Sequence, residues 1–412
     1  METKVCIIGA GPAGLMAAIH SAAAGAQTIV LESNTVAGRK LLLTGGGRCN
    51  FSHNSTADEF VRAIGSKGRF LSFCLHEFPP QKTCHFFQVH GLQSTVDQTG
   101  CVFPVTQRAS DVRDLLVSQA NKLSVHFCYG RRVNSILKKT DRFLVCAGKD
   151  TISAEKLIIA TGGLSFPQTG SAGDGYKFAK ILGHNIIEPK ASLVPLITRQ
   201  TRPKELAGTA VENVKISALI NSRRVETTGP MLFTDDGIAG PAVLDMSRLL
   251  TDFLPSIDNP LEVSIDLSPT IGLSEIEKHL IDQISANPKK SVANILTTLV
   301  PRRVASALCK HLACDPDLLA SQLKKDMRKK LSHILKILPL SIVRTRPIAE
   351  ATVTRGGVST IEINPKTMES KLCPNLFFAG EIIDADGPCG GYNLQIAWST
   401  GAIAGDSAAK TL

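Results

Sequence analysis

One hexapeptide restricts the fold of this chain more than any other feature. Gly9-Ala10-Gly11-Pro12-Ala13-Gly14 has the spacing G-x-G-x-x-G. It follows the apolar, β-branched run Lys4–Ile8 and opens an alanine-rich stretch, Gly14–Ala24, with Gly25 placed as its cap. Strand, glycine turn and helix in that order predict the first βαβ unit of a parallel sheet that binds a dinucleotide. Gly9 permits the tight turn, Gly11 lets the backbone approach a pyrophosphate, and Gly14 lets helix and strand pack closely. Pro12 and Ala13 fall in the first helical turn, whose free N–H groups and positive dipole end face the phosphates. A second strand, Thr28–Leu31, ends at Glu32, 21 positions after Gly11. A carboxylate there accepts hydrogen bonds from a ribose diol.

Two later strand ends decide which dinucleotide is expected. Leu157–Ala160 runs into Thr161-Gly162-Gly163, and Leu376–Ala379 runs into Gly380-Glu381. A cofactor approached three times is long, which favours FAD over a simple NAD site. After the last strand, Gly390-Gly391-Tyr392-Asn393-Leu394 opens a helix reaching about Ala404. Its N–H groups are suited to the N1–C2=O edge of a flavin and to the negative charge of the reduced ring. The expected cofactor contacts are therefore Gly9, Gly11, Pro12, Ala13, Gly14, Glu32, Val133 at the start of a further strand, Thr161, Gly162, Gly380, Glu381, Gly391, Asn393 and Leu394.

At 412 residues the chain has room for two or three domains. The order of elements predicts an α/β domain, 1–189, interrupted by a β-rich segment, 190–270, and a helical segment, 271–340, then completed by 341–412. No apolar run reaches the roughly 18 residues of a membrane span. The glycines and Pro12 break any signal-peptide core, so a cytoplasmic location is expected. Eleven cysteines without a CxxC predict reduced thiols and no metal centre. The net charge of +10 favours anionic partners, among them phosphate-bearing cofactors, acidic substrates and nucleic acid.

The chain resembles the BaiN-like, or aminoacetone-oxidase-like, FAD-binding flavoproteins of the two-dinucleotide-binding-domain superfamily. The resemblance covers essentially the whole sequence. It is strongest in Gly38-Arg39-Lys40-Leu41-Leu42-Leu43-Thr44-Gly45-Gly46-Gly47-Arg48-Cys49-Asn50, in 160–176 and in 378–401. It implies a glutathione-reductase-like Rossmann domain split by an inserted β-barrel-like segment and a small helical cap. It also implies non-covalent FAD, NAD(P)H as a transient donor, and unsaturated ketones of bile-acid type as one substrate class. The chain departs from the family at Asp235-Asp236-Gly237-Ile238-Ala239-Gly240-Pro241, where relatives carry His-x-Gly-x-Ser-Gly-Pro. If that His and Ser face the substrate in relatives, their replacement argues for a different substrate here.

Arg39, Lys40, Gly46 and Arg48 lie in the loop after the ribose-binding strand, where cations would neutralise the pyrophosphate. Against this stands a solvated surface role. Cys49 lacks the partner that a redox pair spaced by four residues requires, since position 54 is Asn. A small buried hydrophobe is then the leading reading. Cys309 and Cys314 have that spacing but fall in the helical segment. His53, Arg355, Asp174 and Cys389 are substrate-side candidates only by adjacency to the motifs. The run 324–330, Lys-Lys-Asp-Met-Arg-Lys-Lys, reads first as a solvated helix packed on Leu323, Met327, Leu331 and Ile334. An RNA-facing surface is the alternative, and the low aromatic content counts against it. The expectation is an NAD(P)H-fed FAD reductase passing hydride from flavin N5 to an activated C=C of a small organic substrate. An oxidase of amines or alcohols and an RNA-modifying flavoprotein are the alternatives.

Overall fold

In the computed structural model, residues 1–200, 205–220, 222–250, 253 and 255–410 are described. They divide into two units, Met1–Ala191 with Ile348–Leu412, and Ser192–Pro347.

The first unit is built on a seven-stranded sheet ordered His126–Cys128, Thr28–Leu31, Glu2–Ile8, Asp150–Ile159, Phe143–Ala147, Val133–Lys138, with Leu376–Phe378 also paired to Asp150–Ile159. Glu2–Ile8 is parallel to both Thr28–Leu31 and Asp150–Ile159. Its residues Val5, Cys6 and Ile7 are fully buried, as a strand covered on both faces requires. The strand anticipated at Leu157–Ala160 is longer, Asp150–Ile159, because its two halves have different partners. Its first half pairs antiparallel with Phe143–Ala147, and its last three residues pair parallel with Leu376–Phe378. The fork puts Asp150–Ile159 between the first strand and the C-terminal one, and the parallel pairing places all three glycine turns at one end of the sheet.

The helix after the first strand is Pro12–Ala23, and the C-terminal helix is Tyr392–Ala409. They pack without intervening side chains. A Cβ at Gly401 would lie 2.5 Å from the Ala13 carbonyl oxygen, and one at Gly405 2.4 Å from that of Ala17. Trp398 anchors the other side of the C-terminal helix, donating Nε1–H to the Phe51 carbonyl at 2.8 Å.

In the second unit, Leu196–Thr198, Gly237–Ala239, Arg223–Phe233, Ala210–Ile220, Leu261–Asp266 and Leu338–Thr345 close into a six-stranded barrel. Val214, Ile216, Phe233, Val263, Ile265 and Ile342 share its hydrophobic core. The barrel corrects two of the boundaries read from sequence. Leu338–Thr345 pairs with both Leu261–Asp266 and Leu196–Thr198, so the barrel does not close without it. The unit accordingly ends at Pro347, not at 340, and it begins at Ser192. Pro339 sits second in that strand, near its start, where a missing N–H is tolerated. Four helices, Leu273–Ala286, Val292–Leu296, Arg302–His311 and Lys325–Lys336, fill the interval before the closing strand.

Candidate active site

The glycine turn is held by its neighbours before any ligand is considered. Gly9 has φ +101°, and a Cβ there would lie 2.5 Å from the Ala160 carbonyl oxygen. A Cβ at Gly14 would lie 1.9 Å from the Gly9 carbonyl oxygen. Gly11 differs from both. Its φ is −77°, and a Cβ would meet no atom within 4 Å. Among the described residues it is the one glycine with neither a positive φ nor any atom within 4 Å of its Cβ position. The space that a side chain would fill is therefore open, as the approach of a pyrophosphate demands.

Glu32 is buried and closes this turn. Its Oε2 accepts the Ala10 N–H at 2.8 Å, and its Oε1 accepts the Asn34 N–H at 2.8 Å and Asn34 Nδ2 at 2.7 Å. The carboxylate ties the glycine loop to the end of the second strand and keeps acceptor capacity for a ribose hydroxyl.

The second and third strand ends meet the first. Thr161 Oγ1 is buried beside Gly162 and has no hydrogen-bond partner. Gly380 has φ +76°, donates its N–H to Thr400 Oγ1 at 2.9 Å, and would press a Cβ to 2.7 Å from that of Ala13. An open cradle at Gly11 and an orphaned hydroxyl at Thr161 fit a bound dinucleotide whose polar groups complete the site.

The cations of the loop take other partners. Lys40 Nζ lies 2.6 Å from Glu381 Oε2 and 2.6 Å from Ser165 Oγ. Glu381 Oε1 accepts from Ser165 Oγ at 2.8 Å and from the Thr354 N–H at 2.9 Å. Burial pushes the Glu381 carboxyl up, but the Lys40 charge and these hydrogen bonds outweigh it and hold the group below the usual carboxylate range. Arg39 binds Asn34 Oδ1 at the surface. Arg48 donates to the Gly45 carbonyl at 3.1 Å and stacks 4.7 Å over Phe103. Gly46, in the same loop, has φ +66° and no neighbour at its Cβ position.

Around the last glycine turn, Gly391 has φ +95° and caps the C-terminal helix, with its Cβ position 2.1 Å from the Ser52 carbonyl oxygen. Asn393 pins the preceding loop, accepting the Gly387 N–H at 2.8 Å and donating to the Gly387 carbonyl at 2.9 Å. Leu394 packs on the core, and Val133 is buried at the start of its strand. The stretch 381–386 carries two further buried carboxylates that the sequence reading did not single out. Asp384 pairs with Lys67, and Asp386 lies 3.8 Å from Arg355 Nε. Alternating acids after a strand-end glycine were the available signal. Tyr176 was missed as well. Its hydroxyl is buried without a partner, and burial, reinforced by Glu381 and Asp384, pushes its pKa up.

The candidate catalytic residues stand differently. Cys49 is fully buried at φ +63°, and burial pushes its thiol up to about 12, so it holds its proton at neutral pH. His53 has both ring nitrogens engaged, Nδ1 with Ser55 Oγ at 2.7 Å and Nε2 with the Thr99 carbonyl at 3.1 Å. Asp174 is paired with Arg132 at 2.8 Å. In the barrel, the departing turn places Asp236 2.7 Å from Arg346.

The HI0933-like protein Rossmann domain family matches residues 3–407. The chain belongs to that family. It is 34% identical over 401 residues to a ribosomal RNA dihydrouridine synthase of Escherichia coli, covering 96% of this chain and 95% of that one. It is 31% identical over 410 residues to a 3-dehydro-bile acid delta(4,6)-reductase of Clostridium scindens, covering 99% of each. In fold it is similar to a 3-ketosteroid delta1-dehydrogenase from Sterolibacterium denitrificans, with TM-score 0.56, 11% identity and 99% of both chains covered. A flavocytochrome c3 fumarate reductase gives TM-score 0.52 at 16% identity, over 99% of this chain and 78% of that one. The protein is an FAD-dependent oxidoreductase. Among its described residues, no helix is long and apolar enough to cross a membrane.

Proposed function

We propose that this enzyme uses a nicotinamide nucleotide to reduce a carbon–carbon double bond conjugated to a carbonyl group. The reading is carried by two relatives that match almost end to end and whose names both describe addition of hydrogen across such a bond. When bound, FAD supplies the hydride chemistry for that reaction. Gly11 and the N-terminus of Pro12–Ala23 would hold the pyrophosphate, Glu32 the ribose, and Thr161 a further cofactor oxygen. The Gly390-Gly391 turn presents the N-terminus of Tyr392–Ala409, which favours negative charge next to it. The Lys40–Glu381 pair, with Ser165 and Thr354, fixes four chain segments at the meeting point of the strand ends.

Saturating a double bond also consumes a proton. The Tyr176 hydroxyl is buried without a partner, but burial raises its pKa and makes it a poor proton donor, so water is the proton source this reading uses. A thiol relay is disfavoured by the burial of Cys49. The test is anaerobic addition of NADH and of NADPH to the yellow holoprotein, following the flavin band near about 450 nm. Bleaching by a nucleotide, then recovery of colour on adding an enone, is the expected result. A flavin that neither nucleotide bleaches, but that an amine or alcohol reduces with peroxide release, replaces the reading with an oxidase. A second reading keeps the chemistry and places the double bond in a uracil base of RNA. The 34% relative and the uneven charge of the chain favour it.

A further inference from the structure

Positive charge is concentrated in one stretch of the second unit. Residues 273–338 carry twelve Lys and Arg against six Asp and Glu, leaving +6 of the chain's +10 in about a sixth of its length. Several of these cations are already committed. Arg328 lies 3.7 Å from Glu277, Lys336 2.6 Å from Asp266, and Arg303 donates to the carbonyls of Glu205 and Ala207. Lys324, Lys325, Lys329 and Lys330 are different. All four are exposed, and none has a side-chain partner among the described residues.

Their placement is locally unfavourable. Lys324 is the N-cap and Lys325 the first residue of the helix Lys325–Lys336, with no side-chain cap, so both face the positive end of the helix dipole. Each such charge is unfavourable there. Lys325 and Lys329, four apart on one face, repel each other. Asp326 is the only acid in the helix and offsets part of this. A run that violates local rules without an internal partner is where function is expected.

The same helix has no face for insertion into a bilayer. Its apolar face, Leu331, Ile334 and Leu335, is buried in the core of the unit, leaving no apolar face to enter a bilayer. Lys324 to Lys330 spans about 9 Å of helix axis. A nucleic-acid duplex presents about five phosphates over that length, against four lysines here.

We propose that the exposed face of Lys324–Lys330 is a docking surface for the phosphate backbone of structured RNA. The proposal rests on the RNA form of the reading above for the reaction that follows docking. The test compares the holoprotein with two variants of equal charge change. One is Lys324→Gln/Lys325→Gln/Lys329→Gln/Lys330→Gln, and the other is Lys82→Gln/Lys139→Gln/Lys149→Gln/Lys366→Gln. Binding of transcribed ribosomal RNA is measured against salt concentration, with a thermal melt of each protein.

The expected result is a loss of at least about tenfold in affinity near 100 mM salt for the helix variant. Its slope of log K against log salt should fall by about 3, near 0.7–0.9 per lysine removed. The control variant should stay within about twofold of the parent. Equal losses in both variants, or no RNA binding by the parent, overturn the proposal. So does lysine-dependent binding to phosphatidylglycerol vesicles when RNA binding does not depend on these lysines. The nucleotide bleaching experiment on the parent separates the two ideas. RNA binding without bleaching removes the reductase reading and keeps the docking surface, and bleaching without RNA binding does the reverse.

Discussion

Replacing Gly11 by Ala separates the ligand from the fold. The backbone at position 11 has φ −77° and ψ −175°, which alanine adopts freely, and the added methyl meets no protein atom within 4 Å. The apoprotein should keep its stability to within about 1 kcal/mol, because the freedom lost by the unfolded chain is offset by the poorer fit of alanine at this helix N-cap. FAD should bind worse. A methyl in the open space pushes the pyrophosphate away from the helix N-terminus and forfeits at least one charge-assisted hydrogen bond, worth about 1.5–3 kcal/mol, or about 10- to 150-fold in affinity. Gly14→Ala is the contrasting perturbation. Its methyl would start 1.9 Å from the Gly9 carbonyl oxygen, so the first strand and helix must separate. That overpacking costs about 1–3 kcal/mol, which lowers the apoprotein melting temperature by several degrees. Flavin-stripped protein is titrated with FAD by fluorescence quenching and melted without it. Parent-like affinity in Gly11→Ala would refute the pyrophosphate assignment. An unchanged melt of apo Gly14→Ala would refute the packing argument.

Three further outcomes are expected. The folded-state pKa of Glu381 lies below its ordinary 4.5, so its stabilising contribution is complete above that value and is lost as pH falls through the lower folded one. In Lys40→Met burial prevails, the carboxyl titrates higher, and the variant should trail the parent by about 3 kcal/mol at pH 7 and by much less near pH 4; a urea-unfolding gap equal at both pH values contradicts this. Cys49 should resist iodoacetamide at pH 8, since its thiol stays protonated there; rapid alkylation of its peptide, seen by mass spectrometry, speaks against the buried placement. Trp398→Phe leaves the Phe51 carbonyl without its donor and should lower stability by about 1–3 kcal/mol; a parent-like denaturation midpoint would show that this bond does not anchor the C-terminal helix.

What the sequence determined alone is what neighbouring residues encode. A turn that needs small residues, an apolar run that needs burial on two faces and an acid at a strand end are written within about 30 residues. Gly9, Gly11, Gly14 and Glu32 were legible for that reason, as were the strands Thr28–Leu31 and Phe143–Ala147. Tertiary structure decided everything that depends on a distant partner. Lys40 reads as a phosphate-facing cation until Glu381, 341 positions away, is folded against it. Ser165 and Thr354 join that pair from two further segments. Leu338–Thr345 reads as the edge of a helical segment until two strands need it to close a barrel. Cys49 and Tyr176 have unremarkable surroundings in the chain, and burial, helped at Tyr176 by Glu381 and Asp384, raises their pKa values. Local stereochemistry acts through bonds and adjacent residues, whereas desolvation and charge pairing act through space, and space is assigned only when the strand ends converge.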